Sequence, residues 1–341
     1  VFYGCEDNRA CQDVMFTAGF DMSDGMALPS VNSWNQNKLV GRVYLDDEDD
    51  PHIVHFVAGL DGMPGPAFDR LMQRDGKPRW ANSRTISAGR RQDDGRNPMN
   101  VPGFTDCAAT LEGVEIGYSI GGEGPPLLLL HGFPQTRAMW ARIAPAFAET
   151  HTVVCPDLRG YGASGKPEAV ADYAFRAMAR DQLALMAMLG HPRFDVAGHD
   201  RGGRVAHRLA LDAPGAVTRL CVMDIVPTHT VLEPLRRDVA TAYWHWFYLA
   251  QPEPFPERMI GHDPDAFFEA CLLGWGGAQL RDFDAGQLAA YRAAWRDPDT
   301  IRGMCNDYRA ALSHDFADDD ADLGQQVTCP TLVLYGAQGA M

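Results

Sequence analysis

The sequence lacks the features that would place it with membrane or nucleic-acid-binding proteins. No apolar run approaches the roughly 20 residues that a membrane-spanning helix needs. The first residues lack the basic and then apolar order of a signal peptide. Basic residues are few, 30 Lys and Arg against 45 Asp and Glu, so the formal net charge is −15. Since nucleic acid and anionic membranes require a basic surface, we expect neither as a partner, and we expect a cytoplasmic location.

Paired cysteines are missing as well. The eight cysteines are scattered, with no C-x-x-C pair and no other spacing typical of metal ligands. Scattered cysteines are typical of buried, reduced thiols. We therefore predict no disulfide and no metal site. For the oligomeric state we leave a homodimer open.

A polar stretch divides the chain. The sequence SAGRRQDDGRNPMNVPGFT is rich in Gly, Pro, Arg and Asn and has neither a helical nor a strand period. We predict a small α+β unit over 1–83, a linker over 84–105, and a larger α/β domain after it. In that domain we expect a core over 106–226, a helical cap over 227–311 and a continuation of the core over 312–341.

The first unit shows short apolar and amphipathic segments. We predict strands at Asp13–Met22, Leu39–Leu45 and His52–Leu60, and helices at Leu28–Asn37 and Phe68–Gln73. The run VNSWNQNKLVGRVYLDDEDDP resembles the YbjN-like family over about residues 11–72. This resemblance implies an interaction or chaperone-like module more than an enzyme.

Strands and helices alternate after the linker. Leu127–Leu130, His151–Cys155 and Phe194–Ala197 read as apolar strands, and Phe175–Leu189 reads as a helix between two of them. Alternation with largely apolar strands predicts a mostly parallel sheet with helices on both faces.

The segment FDVAGHDRGGRVAHR carries the chemistry. A short apolar strand runs into Gly198-x-Asp200-x-Gly202 and then into a helix-forming stretch. This is the pattern of a nucleophile elbow, in which the apex residue has a strained backbone and side chains at the glycine positions would collide. An Asp at the apex is ionised at neutral pH and can attack an sp³ carbon, forming an ester that must then be hydrolysed. The reaction is thereby narrowed to dehalogenation or epoxide opening.

Three motifs together carry a family resemblance. They are His131-Gly132-Phe133-Pro134-Gln135, Asp157-Leu158-Arg159-Gly160-Tyr161-Gly162, and the elbow HDRGGR. Over about residues 113–341 they resemble the fluoroacetate (haloacetate) dehalogenase branch of the α/β-hydrolases. The resemblance implies an α/β-hydrolase fold with a helical cap, and backbone N–H groups of Phe133 and Arg201 as oxyanion donors.

Arg201 and Arg204 separate the two chemistries. They lie three residues apart at the start of a helix and share one face, where cations oppose the helix dipole. A substrate carboxylate between the two guanidinium groups would relieve this conflict, so we predict a small anionic haloacid as substrate. The alternative is that one of the two arginines pairs with an internal carboxylate such as Asp157.

The cap and the hydrolytic half of the reaction are assigned through the resemblance and the fold. The resemblance matches His245, Trp246 and Tyr308 to halide-binding donors. Asp224, at the end of the strand Leu220–Met223, is the expected orienter of a catalytic histidine. That histidine is expected after the next strand, beyond Met341, so we interpret the chain, which begins at Val1, as truncated before its catalytic base.

The leading hypothesis is hydrolytic dehalogenation of a 2-haloacid without a cofactor. One alternative is an epoxide hydrolase, in which Tyr243 or Tyr308 protonates the epoxide oxygen. The other is a non-catalytic truncated or fusion protein.

Overall fold

The computed structural model of the chain describes residues 101–235, 237–274 and 279–336, together with the backbone of four strands that precede them. The chain divides into two compact units, Val1–Ala88 and Gly89–Met341. The division falls inside the segment predicted to be a linker. Within the described part, no helix is both long enough and apolar enough to cross a membrane.

The first unit contains an antiparallel sheet. Its strands are β1 (Phe2–Tyr3), β2 (Asp13–Gly19), β3 (Arg42–Leu45) and β4 (Pro51–Ala58), in the order β1-β2-β4-β3. The strands β2, β3 and β4 overlap the three that the sequence predicts, whereas β1 is not among the predicted strands. The two predicted helices of this unit lie outside the described residues, so the resemblance to the YbjN-like family stays a prediction.

The second unit is built on a seven-stranded sheet in the order β11-β10-β9-β7-β8-β6-β5. Its strands are β5 (Thr105–Leu111), β6 (Val114–Gly121), β7 (Pro126–Leu130), β8 (Thr152–Pro156), β9 (Phe194–His199), β10 (Val217–Met223) and β11 (Thr331–Leu334). The pairs β5–β6 and β6–β8 are antiparallel, and the other neighbours run parallel. The predicted, mostly parallel sheet is confirmed.

The leucines of β7 are buried on both faces of the sheet. Leu128 and Leu130 pack into one buried apolar cluster, whereas Leu127 and Leu129 pack into a second one with Trp140. Because successive side chains of a strand point to opposite faces, these clusters lie on the two sides of the sheet. A strand buried on both faces reads as a continuous apolar run, which is what PLLLL is.

Helices connect the strands. They are α1 (Ala144–Ala148), α2 (Phe175–Met188), α3 (Arg201–Asp212), α4 (Thr228–Leu232), α5 (Arg237–Ala242), α6 (Trp244–Leu249), α7 (Phe255–His262), α8 (Pro264–Leu273), α9 (Ala285–Trp295), α10 (Pro298–Ala310) and α11 (Phe316–Ala321). Short 3₁₀ turns occupy Arg137–Arg142, Val170–Tyr173 and Leu280–Asp282, and a π-helical turn occupies Ala311–Asp315.

The segment predicted to form the cap contains α4 to α10. It has its own apolar centre, where the rings of Phe268 and Trp295 stack at 5.4 Å between centroids. Its helix α10 packs against α6. In this way Trp246 of α6 and Tyr308 of α10 are buried side by side, with ring centroids 5.5 Å apart.

Candidate active site

Asp200 lies at the junction of β9 and α3 with a backbone φ of +47°. A left-handed conformation is uncommon for a residue with a side chain and marks strain that the surroundings must hold. The glycines on either side allow it. A Cβ at Gly202 would lie 2.4 Å from the carbonyl oxygen of His131, and one at Gly198 would lie 2.3 Å from the carbonyl oxygen of Gly202. The elbow geometry predicted from the sequence is therefore present.

The loop after β7 reaches Asp200. The N–H of Phe133 donates to Oδ2 of Asp200 at 2.9 Å. The loop is held by His131, whose Nδ1 lies 3.0 Å from the carbonyl oxygen of Gly132 and whose Nε2 accepts from the N–H of Leu158. Burial lowers the pKa of His131, so the neutral ring can donate on one side and accept on the other. Within the described residues, the N–H of Arg201 makes no hydrogen bond to the Asp200 carboxylate.

Arg201 is fully buried and forms an ion pair with the cap. Its Nε donates to Oδ2 of Asp307 at 2.9 Å, its Nη2 donates to the backbone oxygen of Asp307 at 3.0 Å, and Nη2 also meets Oδ1. Tyr161 donates its O–H to the same Oδ2 at 2.6 Å. Burial acts to lower the pKa of Arg201, but the Asp307 carboxylate outweighs it and raises that pKa above its usual range.

The sequence left open that one of the two arginines pairs with an internal carboxylate such as Asp157. Such a pair is present, but its carboxylate is that of Asp307. Arg201 pairs with Asp307, whereas Asp157 is bound by the guanidinium and the backbone N–H of Arg137. One nitrogen of Arg201, Nη1, is buried without a hydrogen-bond partner among the described residues.

Arg204 lies one helical turn further along α3 and has no such partner. Its Nη1 donates to the carbonyl oxygen of Val226 and lies 3.4 Å from the hydroxyl of Thr228. Its guanidinium lies over the ring of Trp246, 4.6 Å from the centroid. Within the described part of the chain no carboxylate lies within 4.0 Å of it. Burial lowers the pKa of Arg204, partly offset by the charge of Asp200.

The three residues matched to halide donors come together near Asp200. The ring of Tyr308 contacts His245 and Trp246, each at 5.5 Å between centroids, and Phe133 at 5.0 Å. The hydroxyl of Tyr308 is buried without a hydrogen-bond partner in the described residues. Burial, followed by the Asp200 charge, raises the pKa of Tyr308 well above its usual value, which keeps its O–H protonated.

His245 is neutral in this setting. Burial lowers its pKa to about 3, because desolvation outweighs the nearby carboxylate of Asp200. A neutral imidazole carries one N–H, so His245 can donate a single hydrogen bond.

Asp224 ends β10 with a φ of +49°. Its Oδ1 accepts from the N–H of Gly336, just after β11, at 2.9 Å. Among the described residues no histidine forms a hydrogen bond or an ion pair with this carboxylate. The structure thus brings Asp200, Arg201, Arg204, His245, Trp246 and Tyr308 into one site. Asp224 lies at the carboxyl end of β10, the strand next to β9, where the N–H of Asp200 donates to the carbonyl oxygen of Met223.

Two residues of this site are not assigned by the sequence reasoning, Asp307 and Tyr161. Tyr161 lies in the motif Asp157–Gly162, and Asp307 directly precedes Tyr308. A signal was available, because two arginines that share one face of a helix and become buried require at least one carboxylate nearby. The choice among 45 acidic residues was not available from the sequence.

A family model described as "alpha/beta hydrolase fold" matches residues 125–341. The chain belongs to the α/β-hydrolase family. It is 54% identical to a fluoroacetate dehalogenase from Burkholderia sp. over 242 residues, which are 70% of this chain and 80% of that protein. The predicted resemblance to the fluoroacetate dehalogenase branch is thereby confirmed.

Other members of the family are also similar. A soluble epoxide hydrolase from Corynebacterium sp. (strain C12) is 32% identical over 236 residues, covering 69% of this α/β-hydrolase chain and 82% of that protein. The crystal structure of an α/β hydrolase from Nostoc sp. PCC 7120 superimposes with a TM-score of 0.68 at 44% identity, covering 69% of this chain and 82% of that one.

Proposed function

We propose that this α/β hydrolase converts a small 2-haloacid of the fluoroacetate type into the 2-hydroxyacid and halide, through an ester on Asp200. The observation that carries the proposal is the surroundings of that carboxylate. It lies at a strained elbow with one oxygen held by Phe133, next to two buried guanidinium groups and a buried hydroxyl without a partner. A cation pair beside a nucleophile suits a substrate that carries its own negative charge.

In the first half of the proposed reaction, a carboxylate oxygen of Asp200 attacks the carbon that bears the halogen. The carbon–halogen bond breaks, the electron pair leaves with the halide, and an Asp200 ester of the 2-hydroxyacid forms. Charge develops on the halogen only as the bond breaks, so donors around it stabilise the transition state more than the ground state. Tyr308, His245 and Trp246 are the donors we assign to this role.

In the second half, water attacks the ester carbonyl carbon and releases the hydroxyacid. The ester oxygen that becomes the carbonyl is Oδ2, which already accepts from the N–H of Phe133. Water activation requires a base, and Asp224 is the carboxylate that we expect to orient it. Among the described residues no histidine forms a hydrogen bond or an ion pair with Asp224. The decisive experiment therefore tests the first half of the reaction.

The experiment is the alkylation of Asp200 by a haloacid, followed by mass spectrometry after acid quench. Cleavage after arginine yields the peptide Phe194–Arg201, which contains Asp195 and Asp200. We expect a carboxymethyl adduct on Asp200, released halide in equal amount, and neither in Asp200→Asn. Undiminished halide release by Asp200→Asn would reject the proposal.

Epoxide opening is the second candidate, favoured by the relative named an epoxide hydrolase and by the hydroxyl of Tyr308, which could donate to an epoxide oxygen. The same protein is therefore offered a small neutral epoxide. Diol formation faster than haloacid alkylation would favour the epoxide reaction.

A further inference from the structure

The two arginines of the site differ in the charge that faces them. Arg201 has an internal carboxylate, Asp307, bound through Nε and Nη2. Arg204 has a carbonyl oxygen, a hydroxyl and the face of an indole ring. Both side chains are buried, so neither charge is screened by water to the extent that a surface charge is.

The pairing with Asp307 fixes how Arg201 can be used. A carboxylate that binds two nitrogens of a guanidinium group sets the plane and the rotation of that group. Asp307 is itself held, because its Oδ2 also accepts from Tyr161 at 2.6 Å. The ring of Tyr308, the next residue, lies 4.6 Å from the Arg201 guanidinium carbon, and the ring of Phe175 lies 4.4 Å from it. The Arg201 guanidinium group is thus fixed by the Asp307 carboxylate and by contacts with the rings of Phe175 and Tyr308.

Only Nη1 of Arg201 is then left for a ligand, since it is buried with no partner among the described residues. It can donate hydrogen bonds to a substrate oxygen, but the positive charge behind it is already balanced by Asp307. Arg204, in contrast, forms no ion pair among the described residues, and the negative charge that acts on it in the site is that of Asp200.

We propose that Asp307 is a positioning residue that orients Arg201 as a hydrogen-bond donor through Nη1, and that Arg204 alone supplies the net charge that selects an anionic substrate. The inference rests on the proposed function and divides its carboxylate site into two unequal parts. It assigns a role to an acidic residue that does not touch the substrate.

The test compares chloroacetate with chloroacetamide, which has nearly the same shape and no charge, in the alkylation of Asp200. For each substrate the half-saturating concentration and the maximal alkylation rate are measured. We expect Arg204→Gln to reduce the preference for the acid over the amide by roughly 10- to 100-fold, the range of a hydrogen bond to a charged group. The double variant Arg201→Gln/Asp307→Asn, which removes the balanced pair as a unit, should slow both substrates and change the preference by less than about threefold.

The single variant Asp307→Asn separates orientation from charge. It leaves the Arg201 charge unbalanced and its plane unfixed, so the half-saturating chloroacetate concentration should stay equal or fall while the maximal rate falls at least roughly tenfold. The matched control is Asp181→Asn. Asp181 forms a buried two-nitrogen pair with Arg159, at 2.6 and 2.5 Å, away from the site. This control should lower stability with both kinetic constants unchanged.

A higher half-saturating concentration with an unchanged maximal rate in Asp307→Asn would overturn the inference. The inference would also be overturned if Arg204→Gln and the double variant reduced the preference for chloroacetate over chloroacetamide by the same factor. If Asp307→Asn does not fold, Tyr161→Phe, which removes one hydrogen bond to Asp307, should shift the maximal rate in the same direction by a smaller factor, and no shift would overturn the inference. Absence of any Asp200 adduct in the unaltered protein would reject the proposed function itself, which is a different result.

Discussion

The backbone N–H of Phe133 donates to Oδ2 of Asp200 over 2.9 Å, across 67 residues of sequence. Within the described residues no hydrogen bond reaches the other oxygen, Oδ1. One oxygen is thus held while the other can attack, and the held oxygen is the one that carries negative charge when water later adds to the ester. A single amide would serve both halves of the proposed reaction.

Asp224→Asn should distinguish these halves. The amide oxygen of Asn can still accept from Gly336, so the edge of the sheet should stay in place. Because the proposed mechanism uses Asp224 only in the hydrolysis step, the rate of Asp200 alkylation should be unchanged and any breakdown of the ester should slow by at least roughly tenfold. Acid quench at successive times measures both rates. A slower alkylation in this variant would contradict the assignment.

Tyr308→Phe should impair substrates according to their leaving group. The variant keeps the ring that packs on Phe133 and loses an O–H without a partner in the described part. We expect alkylation by fluoroacetate to slow by roughly 10²-fold, as for loss of one donor at a developing charge, and alkylation by bromoacetate to slow much less. Tyr173→Phe, which loses a hydrogen bond to Pro167 outside the site, is the control. Equal losses for both halides would show that the hydroxyl does not face the leaving group.

The pH profile should report a neutral His245. Its pKa is lowered to about 3 by burial, so its charge does not change between about pH 5.5 and 8. The alkylation rate should therefore be flat over that range. A rate that rises as the pH falls through about 6.5, the ordinary value, would mean that the imidazolium is the halide donor.

Asp315 should give stability an unusual pH dependence. Burial raises its pKa to about 8, whereas the unfolded value is near 3.9. Between these values the native state holds a proton that the unfolded state has lost, so this group's contribution to stability falls by about 1.4 kcal/mol per pH unit as the pH rises. Asp315→Asn keeps an acceptor for the N–H of Phe175 and removes the titration.

Relative to the unaltered protein, Asp315→Asn should accordingly gain stability as the pH rises from about 4 to about 8. Urea unfolding at several pH values measures the difference. The exposed Asp299→Asn serves as the control and should change the free energy of unfolding by less than about 1 kcal/mol. A constant difference for Asp315→Asn would show that Asp315 is ionised in the native state.

Gly202→Ala should destabilise the elbow. Its Cβ would lie 2.4 Å from the oxygen of His131 and 2.5 Å from that of Leu130, and these backbone atoms cannot move aside easily. We expect a loss of roughly 2 to 4 kcal/mol in the free energy of unfolding. Gly215→Ala, where a Cβ meets nothing within 4 Å, should change it by less than about 1 kcal/mol. Urea unfolding of both variants at one pH gives the comparison, and equal effects would contradict the close approach.

Local patterns were sufficient to predict the sheet and the strained bend at Asp200. A strand with a continuous apolar sequence such as PLLLL must be buried on both faces of its sheet. The pattern Gly-x-Asp-x-Gly between a strand and a helix requires the backbone geometry of a nucleophile elbow. The shared face of Arg201 and Arg204 follows from helical spacing alone. The matches of His245, Trp246 and Tyr308 came from a family resemblance, since aromatic residues in a helix pack in cores more often than they bind halide.

What the sequence by itself determined, then, is the sheet, the bend at Asp200 and the shared helix face of Arg201 and Arg204, because each depends on neighbours a few residues away. Which of the two arginines pairs with an internal carboxylate was decided only in the folded molecule. Asp307 lies 106 residues from Arg201 and Tyr161 lies 146 residues from Asp307, so their meeting depends on how α10 packs over the elbow. A buried ion pair forms between whichever opposite charges the packing brings into contact, and no local period encodes that choice.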